Sequence, residues 1–177
     1  MEFSAYYTKA DAEDDYIDWL TEFQQQDPLN PGAERGPSVQ SPDQKLTLSG
    51  VFSSVGKTNF FLKDWTFSSI VDWRNGIHNN VTAGVDLNKN SDALSDRPPG
   101  VGRNSGSLGA QFTLDLRLAR TFWFTKDLGI EVNATCTNVT NNQNVVTRQG
   151  VANAARFGEP TLYGPGRIFQ FGGRFNF

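Results

Sequence analysis

The chain has 177 residues and a formal net charge of −3, from 16 Lys and Arg against 19 Asp and Glu. Its single cysteine, Cys136, excludes a disulfide framework, and one histidine without a CxxC pair excludes a zinc cluster. The charge gives no sign of a nucleic-acid partner, and no apolar run approaches the roughly 18 residues of a membrane-spanning helix. The 14 Phe and 17 Gly favour strands and turns over helices.

Six segments alternate apolar and polar residues with the period of two that marks a strand. Each is close to the roughly 9–11 residues that a tilted membrane strand needs. The first alternates from Glu2 onward with no signal peptide before it, so we expect the chain to be the tail of a longer protein. The predicted strands lie near 2–9, 45–53, 64–75, 110–124, 128–138 and 167–177.

The second, third and fourth strands each separate an apolar face from a polar one. Trp65 and Trp73 stand at opposite ends of the third strand, as expected for aromatic girdles at the two surfaces of a membrane. Arg120 falls in the apolar register, and we expect it close to the strand end, where its side chain extends to water. The apolar alternates are Leu46, Leu48, Gly50 and Phe52, then Trp65, Phe67, Val71 and Trp73, then Phe112, Leu114, Leu116 and Leu118.

The last two strands repeat the pattern. The fifth places Cys136 on its apolar face, where we expect it to act as a small hydrophobe. Phenylalanines in a row on a soluble edge strand would promote aggregation, whereas a bilayer solvates them and the opposite face lines a wet lumen. One face of the sixth strand carries Phe169, Phe171, Gly173, Phe175 and Phe177.

Short and long connections alternate between the six strands. The short ones lie near 55–63 and 125–127, and the long polar ones near 10–44, 76–109 and 139–166. Outer-membrane barrels have this alternation, and loops so long are uncommon in compact soluble domains. We therefore predict an all-β fold, an antiparallel transmembrane β-barrel segment of six strands in three hairpins. It is an incomplete barrel, because the smallest usual barrel has about eight strands. The alternative is a soluble β-sandwich.

Four stretches resemble the C-terminal barrel portion of TonB-dependent outer-membrane receptors of the Oar-like kind. The most specific is the Asp/Asn-rich loop from Asp86 that ends in DRPPGVGRN at 96–104. The others are SAYYTKADAEDD at 4–15, LDLRLARTF at 114–122, and the terminal strand FQFGGRFNF at 169–177, which follows Gly164-Pro165-Gly166-Arg167.

The resemblance implies that 1–177 is the C-terminal part of a barrel of about 22 strands in the outer membrane of a Gram-negative bacterium. Such receptors perform energy-coupled uptake of a large nutrient. The plug domain and most of the barrel are absent from this sequence, so we expect a fragment that transports nothing by itself. The implied partners are outer-membrane lipid, the remaining barrel and plug, and the barrel-assembly machinery, without cofactor or nucleic acid. That machinery is expected to recognise Phe171, Gly173, Phe175 and Phe177.

The first long connection is acidic, with eight Asp and Glu and no Lys or Arg between 10 and 34. Tyr16, Trp19, Leu20 and Phe23 have helical spacing, which predicts a short amphipathic helix. This helix either gathers a cationic or sugar-like ligand at the outer mouth or packs its aromatic stripe on neighbouring loops.

The second long connection contains a candidate cation site. Asp86, Asn88 and Asn90 alternate like the start of a calcium loop, in which side-chain oxygens converge on the ion. The pattern then departs, because Ser91 stands where Gly is required and Arg97 where a bidentate Glu is required. The alternative is an ordinary polar surface loop.

No acid–base or nucleophile constellation accompanies His78, so we predict no enzymatic activity. Besides a receptor fragment, two functions stay open: a small structural or adhesive outer-membrane protein assembled from several such chains, and a soluble β-sandwich binding module. On the polar face, cross-strand ion pairs or a pore lining are expected from Asp115, Arg117, Glu131 and Arg174.

Overall fold

The structure is a computed structural model that describes residues 1–15, 25–54 and 59–177. Within these residues it contains twelve strands and one short 3-10 helix, Pro31–Glu34. The predicted amphipathic helix with Tyr16, Trp19, Leu20 and Phe23 lies outside the described residues. In the described part of the chain, no helix is long and apolar enough to cross a membrane. The strands are β1 Glu2–Lys9, β2 Glu13–Asp14, β3 Gly36–Pro37, β4 Gln44–Ser53, β5 Trp65–Arg74, β6 His78–Asn79, β7 Gly106–Ser107, β8 Gln111–Trp123, β9 Gly129–Thr137, β10 Val145–Arg148, β11 Pro160–Tyr163 and β12 Ile168–Asn176.

Six long strands form a single sheet in the order β1-β4-β5-β8-β9-β12. Every neighbouring pair is antiparallel, and spatial order follows chain order, so the sheet is an up-and-down meander. The prediction of an all-β fold with six antiparallel strands is confirmed. The predicted bounds differ from the observed ones by no more than one residue, because alternating, β-branched and aromatic sequences leave little choice of conformation.

The sheet is open. β1 pairs with β4 on one side and β12 pairs with β9 on the other, so β1 and β12 are the edge strands. Among the described residues, no strand pairs with their outer sides, and the sheet does not close into a barrel.

The connections divide the molecule into two ends. Of the described residues, 54, 59–64 and 124–128 lie at what we call the short-connection end, and 10–15, 25–43, 75–110 and 138–167 lie at the long-connection end. The hairpin at 124–128 is fixed locally: Thr125 Oγ1 accepts hydrogen bonds from the N–H of Leu128 at 3.0 Å and of Asp127 at 3.4 Å. The described parts of the three long connections all lie at the same end of the sheet.

The long connections have structure of their own. Each contributes to a two-stranded sheet, β2 with β3, β6 with β7, and β10 with β11. A parallel bridge between Thr82 and Val151 joins the second connection to the third. Where the second connection leaves and rejoins the sheet, Gly76 approaches the backbone of Gly109 so closely that no Cβ fits.

Candidate functional site

The register aligns the apolar alternates of all six long strands on one side of the sheet, which we call the apolar face. Residues directly opposed in an antiparallel pair project to the same side, so the pairing alone assigns each side chain to a face. There are six cross-strand rows, counted from the long-connection end toward the short-connection end. The first row is Tyr7, Leu46, Trp73 and Phe112; the second is Ala5, Leu48, Val71 and Leu114; the third is Phe3, Gly50, Ser69, Leu116, Cys136 and Phe169. The fourth row is Phe52, Phe67, Leu118, Ala134 and Phe171; the fifth is Trp65, Arg120, Val132 and Gly173; the sixth is Phe122, Ile130 and Phe175.

Among the described residues, no strand or helix packs on the apolar face. Its side chains are most exposed on the two edge strands, and those of the inner strands, such as Leu114 and Leu116, are partly shielded by their neighbours. Phe171 is 81% exposed, Phe175 70% and Phe3 65%. The buried hydrophobic residues of the described chain are Ala83, Leu108 and Ala119, at 2–8% exposure, and none of them belongs to the rows of the apolar face. Burying an aromatic or aliphatic side chain stabilises a fold by roughly 1.5–3 kcal/mol, so this face is unusually costly to leave in water.

The opposite side of the sheet, which we call the polar face, carries a hydrogen-bonded network. Asp72 accepts a hydrogen bond from Thr47 Oγ1 at 3.0 Å and forms a salt bridge with Lys45 at 3.3 Å. Arg74 Nε donates to Gln111 Oε1 at 2.8 Å. Ion pairs and amide contacts of this kind join neighbouring strands without apolar packing.

Of the four charged residues expected on the polar face, two form an ion pair. Arg117 Nη2 lies 2.6 Å from Glu131 Oε1. Asp115 accepts a hydrogen bond from the Asn138 N–H at 2.8 Å, and Arg174 stands opposite Glu131 in the pairing of β12 with β9. The face also carries apolar residues such as Ile70, which is half-exposed.

A buried ion pair connects the first two long connections. Arg97 donates from Nη1 to Glu34 Oε2 at 2.8 Å and from Nη2 to Glu34 Oε1 at 3.0 Å. The Arg97 side chain is 6% exposed and that of Glu34 4%. Bidentate Arg–carboxylate pairing fixes both distance and orientation, so the two connections are held in one arrangement.

A second ion pair joins the same connections. Arg103 Nη1 lies 2.6 Å from Asp14 Oδ1 and also donates to the Asp14 carbonyl oxygen at 2.7 Å. Next to it, Asn104 Nδ2 donates to the Pro37 carbonyl at 2.8 Å. The acidic residues Asp14 and Glu34 of the first connection are thus bound to arginines of the second, rather than held free for a cationic ligand.

Asp96 is the most buried side chain of this region, at 0% exposure. Its Oδ2 accepts hydrogen bonds from the backbone N–H groups of Leu87 and Asn88, the latter at 3.2 Å. Asp96 therefore shapes the turn that begins at Asp86. Within 96–104, Asp96, Arg97 and Asn104 are buried, whereas 99, 100 and 102 are exposed. We call the described parts of the three long connections together the loop layer.

The pKa of Glu34 is lowered. Burial by itself raises the pKa of a carboxyl, but the hydrogen bond from Arg97 outweighs it, together with the Gln26 backbone N–H and the charges of Arg97 and Arg103. Glu34 is consequently ionised throughout the neutral range, and the ion pair with Arg97 is intact there.

A groove of about 1100 Å³ lies between the first and second connections. Pro28 and Leu29 line it from one connection, and Pro98, Pro99 and Val101 from the other. The amide side chains of Asn88 and Asn90, also among its lining residues, supply hydrogen-bonding groups. An open groove with apolar walls and a few amides suits a ligand with both apolar and hydroxyl surfaces.

Of the calcium candidates Asp86, Asn88 and Asn90, the two asparagines line this groove. Asp86 accepts hydrogen bonds from the N–H of Asn90 at 3.1 Å and of Ser91 at 2.8 Å, and Asn90 Oδ1 accepts one from Asp92 N–H at 2.7 Å. Their side-chain oxygens thus bond to the backbone of their own turn. In the described residues, no group of three or more His, Cys, Asp and Glu is placed to hold a metal ion.

The four predicted assembly-signal residues lie at the edge of the sheet. Phe171, Gly173 and Phe175 occupy the apolar face of β12, and Phe177 follows the strand and is fully exposed. The register therefore brings the phenylalanines that the sequence singled out onto the same face as the leucines of β8.

Sequence reasoning missed the contacts within the loop layer. It treated the acidic connection and the DRPPGVGRN stretch separately. A signal for their pairing was present, because the first connection has eight acidic residues and no Lys or Arg between 10 and 34, while the second carries Arg97 and Arg103. It also missed the contact of His78 Nε2 with Asp43 Oδ1 at 3.1 Å, which ties the second connection to the residue before β4.

Comparison with protein-family models, with curated proteins and with solved structures finds no match for this chain. What the protein does is therefore inferred from its two-faced sheet and its loop layer.

Proposed function

We propose that this chain is a membrane-spanning part of an outer-membrane β-barrel. The observation that carries the proposal is the apolar face: six rows of mainly apolar side chains that together extend over all six long strands, with no second layer of described residues packed on them. A bilayer solvates such a face, while the polar face lines a water-filled lumen.

The dimensions of the sheet support a bilayer. Trp65 and Trp73 lie in the fifth and first rows, eight residue steps apart. This is about 26 Å along the strand at roughly 3.3 Å per residue, and about 20 Å along the membrane normal at the usual strand tilt of about 35–45°. An outer-membrane barrel has an apolar band of about 25 Å flanked by aromatic girdles. The short and long connections then lie on the periplasmic and outer sides, respectively.

We further propose that the barrel is a TonB-dependent receptor of the Oar-like kind, which takes up a large nutrient across the outer membrane. This finer step depends on the resemblance carried by DRPPGVGRN and by the terminal strand. The loop layer adds support, because its groove of about 1100 Å³ accommodates a ligand larger than a simple ion. The remaining barrel, the plug and the barrel-assembly machinery are the partners in this proposal.

A neighbouring pair of serines gives a matched test of the bilayer orientation. Ser68 and Ser69 are adjacent in β5, on the polar and the apolar face respectively, near the middle of the sheet. In a Cys136→Ser background, Ser68→Cys and Ser69→Cys are each treated with a water-soluble maleimide in membranes of cells that produce the protein.

We expect Ser68→Cys to react at least about tenfold faster than Ser69→Cys, since water reaches only the polar face. A lipid-soluble maleimide should reduce the difference without reversing it, because a thiol in hydrocarbon stays protonated and reacts slowly. Both cysteines should react equally in urea. Equal reaction with the water-soluble reagent in native membranes would contradict the proposal.

The open edges favour one second candidate, an outer-membrane protein assembled from several copies of this chain. β1 and β12 run in opposite directions, so β12 of one copy can pair with β1 of the next. The mass of the assembly in mild detergent distinguishes the two: a receptor contains one copy of this sheet, and the second candidate several.

A further inference from the structure

Arg120 is the one charged side chain in the six rows of the apolar face. It lies in the fifth row, directly opposite Trp65 on β5 and Val132 on β9. This row is adjacent to the short-connection end, where β8 ends at Trp123. An arginine here has its charge at the edge of the apolar band and not at its centre.

Three aromatic rings surround the Arg120 guanidinium. Its central carbon lies 4.7 Å from the ring centroid of Phe60, 4.7 Å from that of Phe122 and 5.2 Å from that of Trp65. Such contacts orient the planar cation and shield its faces, and they leave the edge of the plane for hydrogen bonds.

The donors of Arg120 are incompletely used. A guanidinium carries five N–H groups. One of its nitrogens, Nη2, donates to the Phe60 carbonyl oxygen, while Nε is buried and has no hydrogen-bond partner among the described residues. The site thus offers donor capacity for an acceptor that the protein does not supply.

A cavity of about 330 Å³ adjoins Arg120. Its walls include Phe60, Phe122, Trp123 and Phe124 together with the second cation, Lys63. Lys63 lies 3.8 Å from Asp64, a long ion pair that leaves the ammonium half-exposed. Two cations against one carboxylate, within aromatic walls, make a cavity with a positive charge and an apolar surround.

We propose that this cavity binds the phosphodiester of a membrane phospholipid. The inference rests on the proposed function, because it requires the apolar face to meet lipid. The short-connection end is then at the level of the headgroups, and arginine pairs well with phosphate oxygens through parallel N–H groups. The aromatic walls accommodate the glycerol and the upper acyl carbons.

The test uses a phosphatidylglycerol analogue with a photoreactive diazirine in its headgroup, added to detergent-solubilised protein purified from membranes. The matched analogue is a diacylglycerol with the same diazirine and no phosphate. Cross-linked peptides that contain 59–65 or 120–124 are quantified by mass spectrometry.

We expect at least about fivefold more cross-linking with the phosphate-bearing analogue than with the diacylglycerol. Arg120→Gln should abolish this difference, Lys63→Gln should reduce it about twofold, and Arg120→Lys should keep part of it. Arg174→Gln, on the polar face of β12, is the control and should change nothing. Equal labelling by the two analogues, or a difference that survives Arg120→Gln, would overturn the inference.

Two further arms separate the possible failures. A lipid with the diazirine in its acyl chain reports contact of the apolar face with lipid. If this lipid labels β8 but the headgroup analogues show no preference for phosphate, only the headgroup site is contradicted. If this lipid does not label β8, the proposed function is contradicted as well. Inorganic phosphate at millimolar concentration tests the source: undiminished labelling supports a lipid ligand, and displacement would assign the site to free phosphate instead.

Discussion

Arg97 and Glu34 hold together two loops whose contacting residues are 63 positions apart in sequence. Replacing one partner of a buried ion pair leaves the other charge without compensation, which costs about 3–5 kcal/mol. We therefore expect Glu34→Gln to accelerate hydrogen exchange of the backbone N–H groups in 96–104 by at least about a hundredfold, as measured by mass spectrometry on the membrane-assembled protein.

The exposed pair of Arg35 and Glu13 gives the control. These side chains are 73% and 47% exposed, and such surface pairs contribute about 0–1 kcal/mol. Glu13→Gln should leave the exchange of 96–104 nearly unchanged. Equal effects of the two substitutions would mean that burial of the Arg97–Glu34 pair is unimportant to the loop layer.

The lowered pKa of Glu34 predicts how the loop layer responds to acid. A carboxyl with a lowered folded-state pKa stabilises the fold fully above its unfolded pKa, and this contribution is lost as the pH falls through the folded value. Protection of 96–104 should therefore be constant from pH 7 to about 5 and decline below about 4.3, the ordinary range of Glu. After correction for the intrinsic exchange rate, Glu34→Gln should remove this decline; a decline that persists in the variant would assign it to another group.

A substitution at Gly76 tests the close approach of this residue to the backbone of Gly109, where the second connection leaves and rejoins the sheet. A Cβ added at this residue would overlap the backbone N and O of Gly109, whereas one added at Gly102 meets nothing within 4 Å. Overpacking of this kind costs about 1–3 kcal/mol. We expect Gly76→Ala to lower the free energy of unfolding in urea by that amount, measured on the membrane-assembled protein, and Gly102→Ala to leave it unchanged. Equal values for the two variants would contradict the steric account.

At the scale of elements, two positions on β8 predict that the free-energy cost of a lipid-facing arginine depends on its depth in the bilayer. Leu116 is in a central row of the apolar face, whereas Arg120 is close to the strand end. A lipid-facing arginine costs about 2–4 kcal/mol at the bilayer centre and about 0–1 near the interface. We expect Leu116→Arg to lower the free energy of unfolding in lipid vesicles by the larger amount.

The matched substitution is Thr135→Arg, on the polar face of the neighbouring strand β9. An arginine there would face the lumen that we propose. It stands opposite Arg117, so like-charge repulsion adds about 0.2–1 kcal/mol, and we expect a total cost of about 1 kcal/mol. If Thr135→Arg is as disruptive as Leu116→Arg, the two faces of the sheet have been assigned to the wrong environments.

The strands could be predicted from sequence because each one contains its own evidence. Alternation such as that of Phe112, Leu114, Leu116 and Leu118 depends on neighbours two residues apart, and it remained correct through the whole of β8. The sheet order then followed from the connections, since each long strand pairs with the next long strand along the chain.

The loop layer could not be predicted in the same way. The burial of Asp96 and Arg97 depends on partners at Asn88 and Glu34, and nothing in local periodicity identifies such partners. Polar residues in long connections suggest a solvated surface, and here they form an inner layer because ion pairs and backbone N–H groups satisfy them.

For the molecule as a whole, the open sheet determines how the chain behaves by itself. Each edge strand has a row of unpaired backbone groups, and in hydrocarbon each such group costs several kcal/mol. We expect the 177-residue chain, produced alone and refolded in detergent, to aggregate. A monomer that migrates differently on a gel before and after heating would contradict this expectation.

The opposite directions of β1 and β12 set a rule of parity for any closed form of this sheet. Six strands that alternate in direction begin with one running toward the long-connection end and finish with one running away from it. A ring that stays antiparallel throughout can accept these strands only if the number added is even, whether they come from the same chain or from another copy. A single extra strand, or three, would force one parallel pair where the ring closes, and short and long connections would no longer alternate around the circumference.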